Sequence, residues 1–204
     1  MTTRDTRAAA GTVVGQVLSG QSLNTVLPPI SEQVAARDRA LLQQLCYGCL
    51  RFIPRLEALL AELLSKPLRD RDDDLRGLLL VGLYQLDETR IPDHAAVAAT
   101  VAATRALGKG WAKGLVNAVL RRYLRERQPL NDKLTPAAAA AHPQWLHQAV
   151  LAEWPQHAAD IIEANNRQPP MTLRVNTRMT TRDEMMQAIA ASGLESAPGV
   201  LSPD

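Results

Sequence analysis

The chain has 204 residues, enough for one domain or two small ones, and its first part alone is long enough to bury a core. Apolar residues make up 46% but aromatic ones only 3%, so the core must be built of Leu, Ala and Val, which favours helix over sheet and predicts an all-helical first domain. The net charge of +2 hides an asymmetry, since residues 1–127 hold 18 Lys and Arg against 13 Asp and Glu while residues 128–204 hold 5 against 8; only the first part suits an anionic partner.

The first helix carries Ala10, Val13, Val14, Val17 and Leu18 on one face, the mark of a core helix. Arg4 and Arg7 before three alanines imitate the start of a signal peptide, but Asp5 lies among them. The longest uncharged run, residues 8–31, is broken by Gln16, Ser19, Gln21, Asn24 and the Pro28-Pro29 pair, so it lacks the roughly 20 continuous apolar residues that spanning a membrane requires. A cytoplasmic chain is expected. Leu23, Val26 and Leu27 read as a short turn of helix closed by Pro28-Pro29.

Residues 37–52 form the third expected helix, and its stripe of Leu41, Leu42 and Leu45 continues into Cys46 and Cys49. A structural zinc site needs two more ligands, and His94, His142, His147 and His157 show no paired ligand spacing. A redox pair would sit at a strand-to-helix junction. The cysteines are therefore read as buried packing residues, and no metal is expected. A helix over residues 55–65 follows Pro54 and stops at Pro67, and residues 70–74 place acids at the start of the next, whose buried face holds Leu75, Leu78, Leu79, Leu83 and Leu86.

Asp93 is a candidate N-cap of a further helix, and Gly108 and Gly110 mark its end. In the helix over residues 111–127, Leu115, Val119, Leu120, Tyr123 and Leu124 share one side, while Lys113, Asn117, Arg121 and Arg125 recur at four-residue steps on another. Charged helix faces are usually only solvated. Here, however, residues 105–127 hold seven Lys and Arg against one Glu, leaving few acids for salt-bridge lacing, and the cluster points to phosphates. Residues 129–142, with Pro129, Pro136 and an alanine run, read as a linker holding about one helical turn. Trp145 and Trp154 are expected in core or interdomain packing because their neighbours are apolar. After Pro169-Pro170 the pattern changes to a strand over residues 171–176, a capping box at Thr181-Arg-Asp-Glu184, a helix to about Ser192 stopped by Gly193, and a second strand beginning near Leu194.

The segments Asp38-Arg-Ala-Leu-Leu-Gln-Gln-Leu-Cys-Tyr-Gly-Cys-Leu-Arg51, Gly82-Leu-Tyr-Gln-Leu86, Arg90-Ile-Pro-Asp-His-Ala-Ala-Val97 and Gly114-Leu-Val-Asn-Ala-Val-Leu-Arg121 resemble, in that order, the NusB-type RNA-binding fold. Asn165-Asn-Arg-Gln-Pro-Pro-Met-Thr-Leu-Arg-Val-Asn176 resembles the segment that follows this domain in the bacterial Sun/Fmu enzymes, S-adenosylmethionine-dependent methyltransferases of small-subunit ribosomal RNA that act on carbon 5 of cytosine. The resemblance implies a mainly α chain: a NusB-like domain over residues 1–128, the linker, and the start of an α/β RNA-binding adaptor over residues 143–204. It implies ribosomal RNA as partner, with Arg4, Arg7, Lys113, Asn117, Arg121, Arg122, Arg125, Arg167, Arg174 and Asn176 as contacts. Such enzymes carry an Ala-Pro-Gly-Gly-Lys-type cofactor loop and Pro-Cys and Thr-Cys-Ser elements, none of which occurs in this sequence. The expectation is accordingly an RNA-recognising portion with no catalytic residue and no cofactor of its own, S-adenosylmethionine and the methyltransferase domain belonging to the full-length protein. A stand-alone NusB-like antitermination factor is the alternative, against which the segment from Pro143 onward speaks.

Overall fold

The computed structural model describes residues 3–199 and divides into two units, Met1–Asn166 and Arg167–Asp204. Its described residues form helices and turns without a strand, so the chain is mainly α.

The first unit is organised by α1 (Thr6–Leu18) and α5 (Asp73–Glu88), whose interface is the largest between any two elements. Asp5 starts α1 by accepting the Arg7 and Ala8 amides at 3.0 and 2.9 Å. Along the crossing, Gly11, Gly15 and Gly77 remove the side-chain ridge that normally separates two helices. A Cβ on Gly77 would run into the Gly11 carbonyl oxygen, and one on Gly15 into that of Asp73. Leucines then close around this backbone contact, leaving α5 buried on all sides from Gly77 to Leu86.

Around this pair pack α2 (Leu23–Glu32), α3 (Arg39–Arg51), α4 (Ile53–Leu63), α6 (Asp93–Ala106) and α7 (Lys113–Asn131). The proline pair expected to close α2 lies inside it. Two ladder bonds are lost at Asn24 and Thr25, but both residues are exposed and their carbonyls can bond water, while Ile30 and Val34 draw the helix onward into the core. Asp93, expected as an N-cap, is the first residue inside α6, because Pro92 takes the extended capping conformation before it. Cys46 and Cys49 are free and fully buried beside Leu42 and Leu45. Burial pushes the Cys46 thiol up to about 12 and raises Cys49 in the same direction.

Residues 129–142 are not an open linker. Pro129 cannot donate to the Arg125 carbonyl, and the helix kinks at Glu126 (φ −113°, ψ 20°) before continuing to Asn131, anchored by buried Leu130. The alanine run is a packing device: Thr135 caps α8 (Pro136–Ala139), which lies on α4 with Ala137 and Ala141 buried. Buried His142 holds the Ala140 carbonyl at 2.6 Å through Nδ1 and meets the Asn165 amide at 3.3 Å through Nε2. The compact unit thus runs past residue 128 through α9 (Gln144–Glu153) and α10 (Ala158–Asn166). Trp145 and Trp154, expected in packing, are 70% and 54% exposed, since α9 contributes only Val150 to a buried position.

In the second unit the capping box forms as expected: the Glu184 amide bonds Thr181 Oγ1 at 3.3 Å and the Thr181 amide bonds Glu184 Oε2 at 2.9 Å. It starts α11 (Arg182–Ala191), which ends at Ser192 with Gly193 at φ +81°. The strand expected over residues 171–176 is absent, as is one over residues 194–199, the rest of that second strand lying outside the described residues. An extended segment becomes a strand only by pairing, and the described residues of this unit offer it no partner.

Two measurements follow from the core. Replacing Gly77 with Ala should destabilise the protein by about 3 kcal/mol in urea titration, whereas Gly114→Ala, at an exposed helix position with open space, should stabilise it by about 0.5 kcal/mol. The alkaline limb of stability is the second. Cys46 and Tyr123 are both raised to about 12, each chiefly by burial, from ordinary values of 9.0 and 10.0. The native state therefore keeps protons that the unfolded chain releases, so these two groups leave unfolding free energy steady below pH 9 and lower it by about 1.4 kcal/mol per pH unit each, Cys46 between pH 9 and 12 and Tyr123 between pH 10 and 12. Replacing both cysteines with Ala should flatten the first part of that fall; an unchanged limb would count against buried thiols.

Candidate nucleic-acid interface

A short connection through the 3-10 turn Gly110–Ala112 folds α7 back along α6, and Arg127 Nη2 near the end of α7 lies 3.9 Å from Asp93 Oδ1 at the start of α6. The apolar side of α7 (Val116, Val119, Leu120, Tyr123) faces the core, so helical periodicity puts Lys113, Asn117, Arg121 and Arg125 outside. Lys113 and Arg125 are exposed and have no partner among the described residues. Exposed Arg121 donates from Nε to Asn117 Oδ1 at 2.9 Å. A neutral amide thus fixes the guanidinium without cancelling its charge, and the two terminal nitrogens keep their fork for an oxyanion.

The other sequence-derived candidates fall into different places. Arg4 bonds Gln33 and Thr12, at 3.4 and 2.6 Å, and Arg7 Nε donates to buried Gln85 Oε1 at 3.1 Å, so the donors of both are engaged within the fold and Arg7 is tied to the core. Arg122 pairs with Glu126 at 3.0 Å and donates to the Glu62 and Leu63 carbonyls at 3.2 and 3.3 Å, satisfying the end of α4. Arg167, Arg174 and Asn176 belong to the second unit; Arg174 and Asn176 are exposed, and Asn176 Oδ1 accepts the Arg178 amide at 3.2 Å. Lys109, within the basic stretch, is neutralised by Asp72 and Asp74, and its bond to Asp72 holds that carboxyl below the usual carboxylate range.

Two features escaped the sequence. Trp111 is 67% exposed on the turn before Lys113, a signal available in principle because a large ring stands between two glycines and two lysines. The second is a groove of about 320 Å³ between α6 and α7. Its apolar lining, taken as the floor, is Val97, Ala98, Val101 and Leu124, and its polar lining, taken as the rim, is Asp93, His94, Asn117 and Arg121. Among the described residues no cluster of three or more His, Cys, Asp or Glu could hold a metal ion, and no helix is long and apolar enough to cross a membrane.

The family model for the NusB family matches residues 4–125, and that for the Methyltr_RsmF/B-like, ferredoxin-like domain matches residues 142–204. Proteins named ribosomal RNA small subunit methyltransferase B from Pseudomonas syringae pv. tomato and Pseudomonas putida are each 47% identical over 201 residues, 97% of this chain. One from Sodalis glossinidius is 43% identical over 200 residues. The chain spans only 45–46% of the length of these curated relatives.

Arg122→Ala should cost about 1–2 kcal/mol of stability by leaving two helix-end carbonyls unsatisfied, while the affinity of the folded protein for a polyanion such as heparin changes less than twofold. Arg125→Ala should do the reverse. Equal polyanion defects in the two variants would erase the distinction between structural and free cations.

Proposed function

The chain belongs to the NusB family, and from that premise we propose that it is the RNA-recognising portion of an S-adenosylmethionine-dependent methyltransferase acting on cytosine carbon 5 of small-subunit ribosomal RNA in the cytoplasm. The observation that carries the reading is the row of Lys113, Arg121 and Arg125 on α7, unneutralised by acids in a chain otherwise rich in ion pairs. Successive members stand one or two helical turns apart, about 6 Å per four residues. Such a row can follow consecutive phosphates of a folded RNA without reading its sequence. Arg174 and Asn176 would add contacts from the second unit, as would Arg167; Arg4, Arg7 and Arg122 keep at most a secondary part, because their donors are engaged within the fold.

Methyl transfer is assigned to the remainder of the full-length protein. The S-adenosylmethionine site is assigned to that remainder as well; in support, the described residues contain no strand leading into a glycine-rich turn, an element that holds nucleoside cofactors in sheet-based folds. The division of labour has a physical basis: a base must leave its stack to be methylated, and a separate basic surface can hold the surrounding RNA while it does.

The test is a salt titration of binding to a structured small-subunit RNA fragment. Log affinity should fall linearly with log salt, and Arg121→Ala combined with Arg125→Ala should reduce the slope by about two units. Salt-independent binding, or a slope unchanged in the double variant, would remove the row from the interface.

A further inference from the structure

We infer that the groove between α6 and α7 is a subsite for one unpaired nucleotide of the bound RNA, its base on the apolar floor and its phosphate on Arg121. The inference rests on the RNA-binding reading and adds a recognition mode to it. The groove is at the small end of ligand-pocket sizes, which run from about 300 Å³ upward, and so admits one planar ring system with its sugar rather than a helix or a strand.

The floor comes from side chains at helical spacing, Val97 and Val101 one turn apart with Ala98 between them, and Leu124 opposite. Ala98 has the smallest side chain of the four, and it opens the space into which a ring can slide. The rim is chemically mixed. Arg121 presents an oriented cationic fork at one side, while Asp93 and exposed His94 stand at the start of α6. That combination decides between ligands. A bare anion on Arg121 would be disfavoured by the Asp93 carboxylate that lines the same groove, whose one ion-pair partner among the described residues, Arg127, is 3.9 Å away. A nucleotide satisfies both ends, since its phosphate bonds the guanidinium and the donors on its base edge bond the carboxylate.

In a duplex stacking hides the ring face and pairing the base edge, so the site selects RNA in which a nucleotide is splayed out. The cation row continues from the groove in both directions, to Arg125 on one side and through Asn117 to Lys113 on the other. An extruded nucleotide could therefore enter the groove while its flanking phosphates remain on the row.

The experiment compares the whole chain's affinity for two RNA hairpins of equal stem length, one fully paired and one with a single bulged adenosine, using wild type and Ala98→Trp. Wild type should bind the bulged hairpin about tenfold more tightly than the paired one. Ala98→Trp fills the groove from an exposed position; it should bring that ratio to near one and leave the paired-hairpin affinity and salt slope within twofold of wild type. As a measurement that does not depend on a variant folding, amide NMR of the wild type with adenosine monophosphate should shift Val97, Ala98 and Val101, whereas inorganic phosphate should leave them unmoved. Equal affinity for both hairpins, a ratio preserved in Ala98→Trp, or groove amides untouched by millimolar nucleotide would each overturn the subsite and leave the salt-sensitive RNA reading standing. Absence of salt-sensitive binding to either hairpin would overturn both.

Discussion

The backbone contact between α1 and α5 is the constraint on which the rest of the first unit depends. Gly11, Gly15 and Gly77 let two helices approach until carbonyl oxygens occupy the space where Cβ atoms would lie. Helices at ordinary separation leave room for side chains between their axes; here that room is gone, and side chains are displaced to the flanks. The leucines of α5 consequently fill the surrounding space, and α5 becomes a central rod enclosed by α1, α3, α4, α6 and α7. A central rod buried on every side obliges the outer helices to be amphipathic, so the polar half of α7 is exposed by the same packing that buries Leu120 and Tyr123.

Two small polar networks run through this arrangement, with Arg55 Nε left without a hydrogen-bond partner among the described residues. Gln85, fully buried on α5, bonds Thr100 Oγ1 at 3.1 Å and the Val81 carbonyl at 3.2 Å, and accepts from Arg7. Tyr123 donates to Asp87, which also meets Arg55 Nη2 at 2.8 Å, and Arg55 in turn donates to Asn131 at 3.0 Å. Removing one member of such a network strands a buried group, at a cost of about 1–3 kcal/mol each. The networks therefore explain why Arg7 and Arg55 are bound to the fold, and together with the α4 carbonyls that hold Arg122 they separate these arginines from the cations of α7 that no part of the unit requires.

Helical periodicity made most of the architecture legible in the sequence. The leucine stripes of α4 and α5, the burial of Cys46 and Cys49, the capping box at Thr181 and the stop at Gly193 all express local rules that tertiary packing did not override. The failures share a cause. Prolines 28, 29 and 129 and the alanine run were read by propensity, yet buried Ile30, Leu130 and Ala137 hold helix through or next to them. The strand over residues 171–176 failed in the opposite way, since strand pattern is local and strand formation is not. Within the candidate interface, sequence spacing found the face of α7, but charge alone could not tell Arg122 from Arg121. Only three-dimensional placement reveals that one donates to the carbonyls ending α4 and the other to an amide on its own helix.

That contrast carries the functional reading further than net charge does. Arg121 and Arg125 are like charges one turn apart, an arrangement that costs a helix about 0.2–0.5 kcal/mol. Arg55, Arg76, Lys109 and Arg127 avoid such a cost through a carboxylate or carbonyl, and Arg121 is oriented by Asn117 without being neutralised. The repulsion is easily carried by the apolar packing of Val116, Val119, Leu120 and Tyr123, each worth about 1.5–3 kcal/mol when buried. A locally unfavourable feature retained at the surface of a well-satisfied fold is relieved when an outside anion arrives, and the relief adds to the binding energy of that anion. An apolar groove beside the same row would give the anion's attached ring somewhere to go, and on the proposed reading it would turn a charged face that any polyanion could occupy into one that favours RNA with an exposed base.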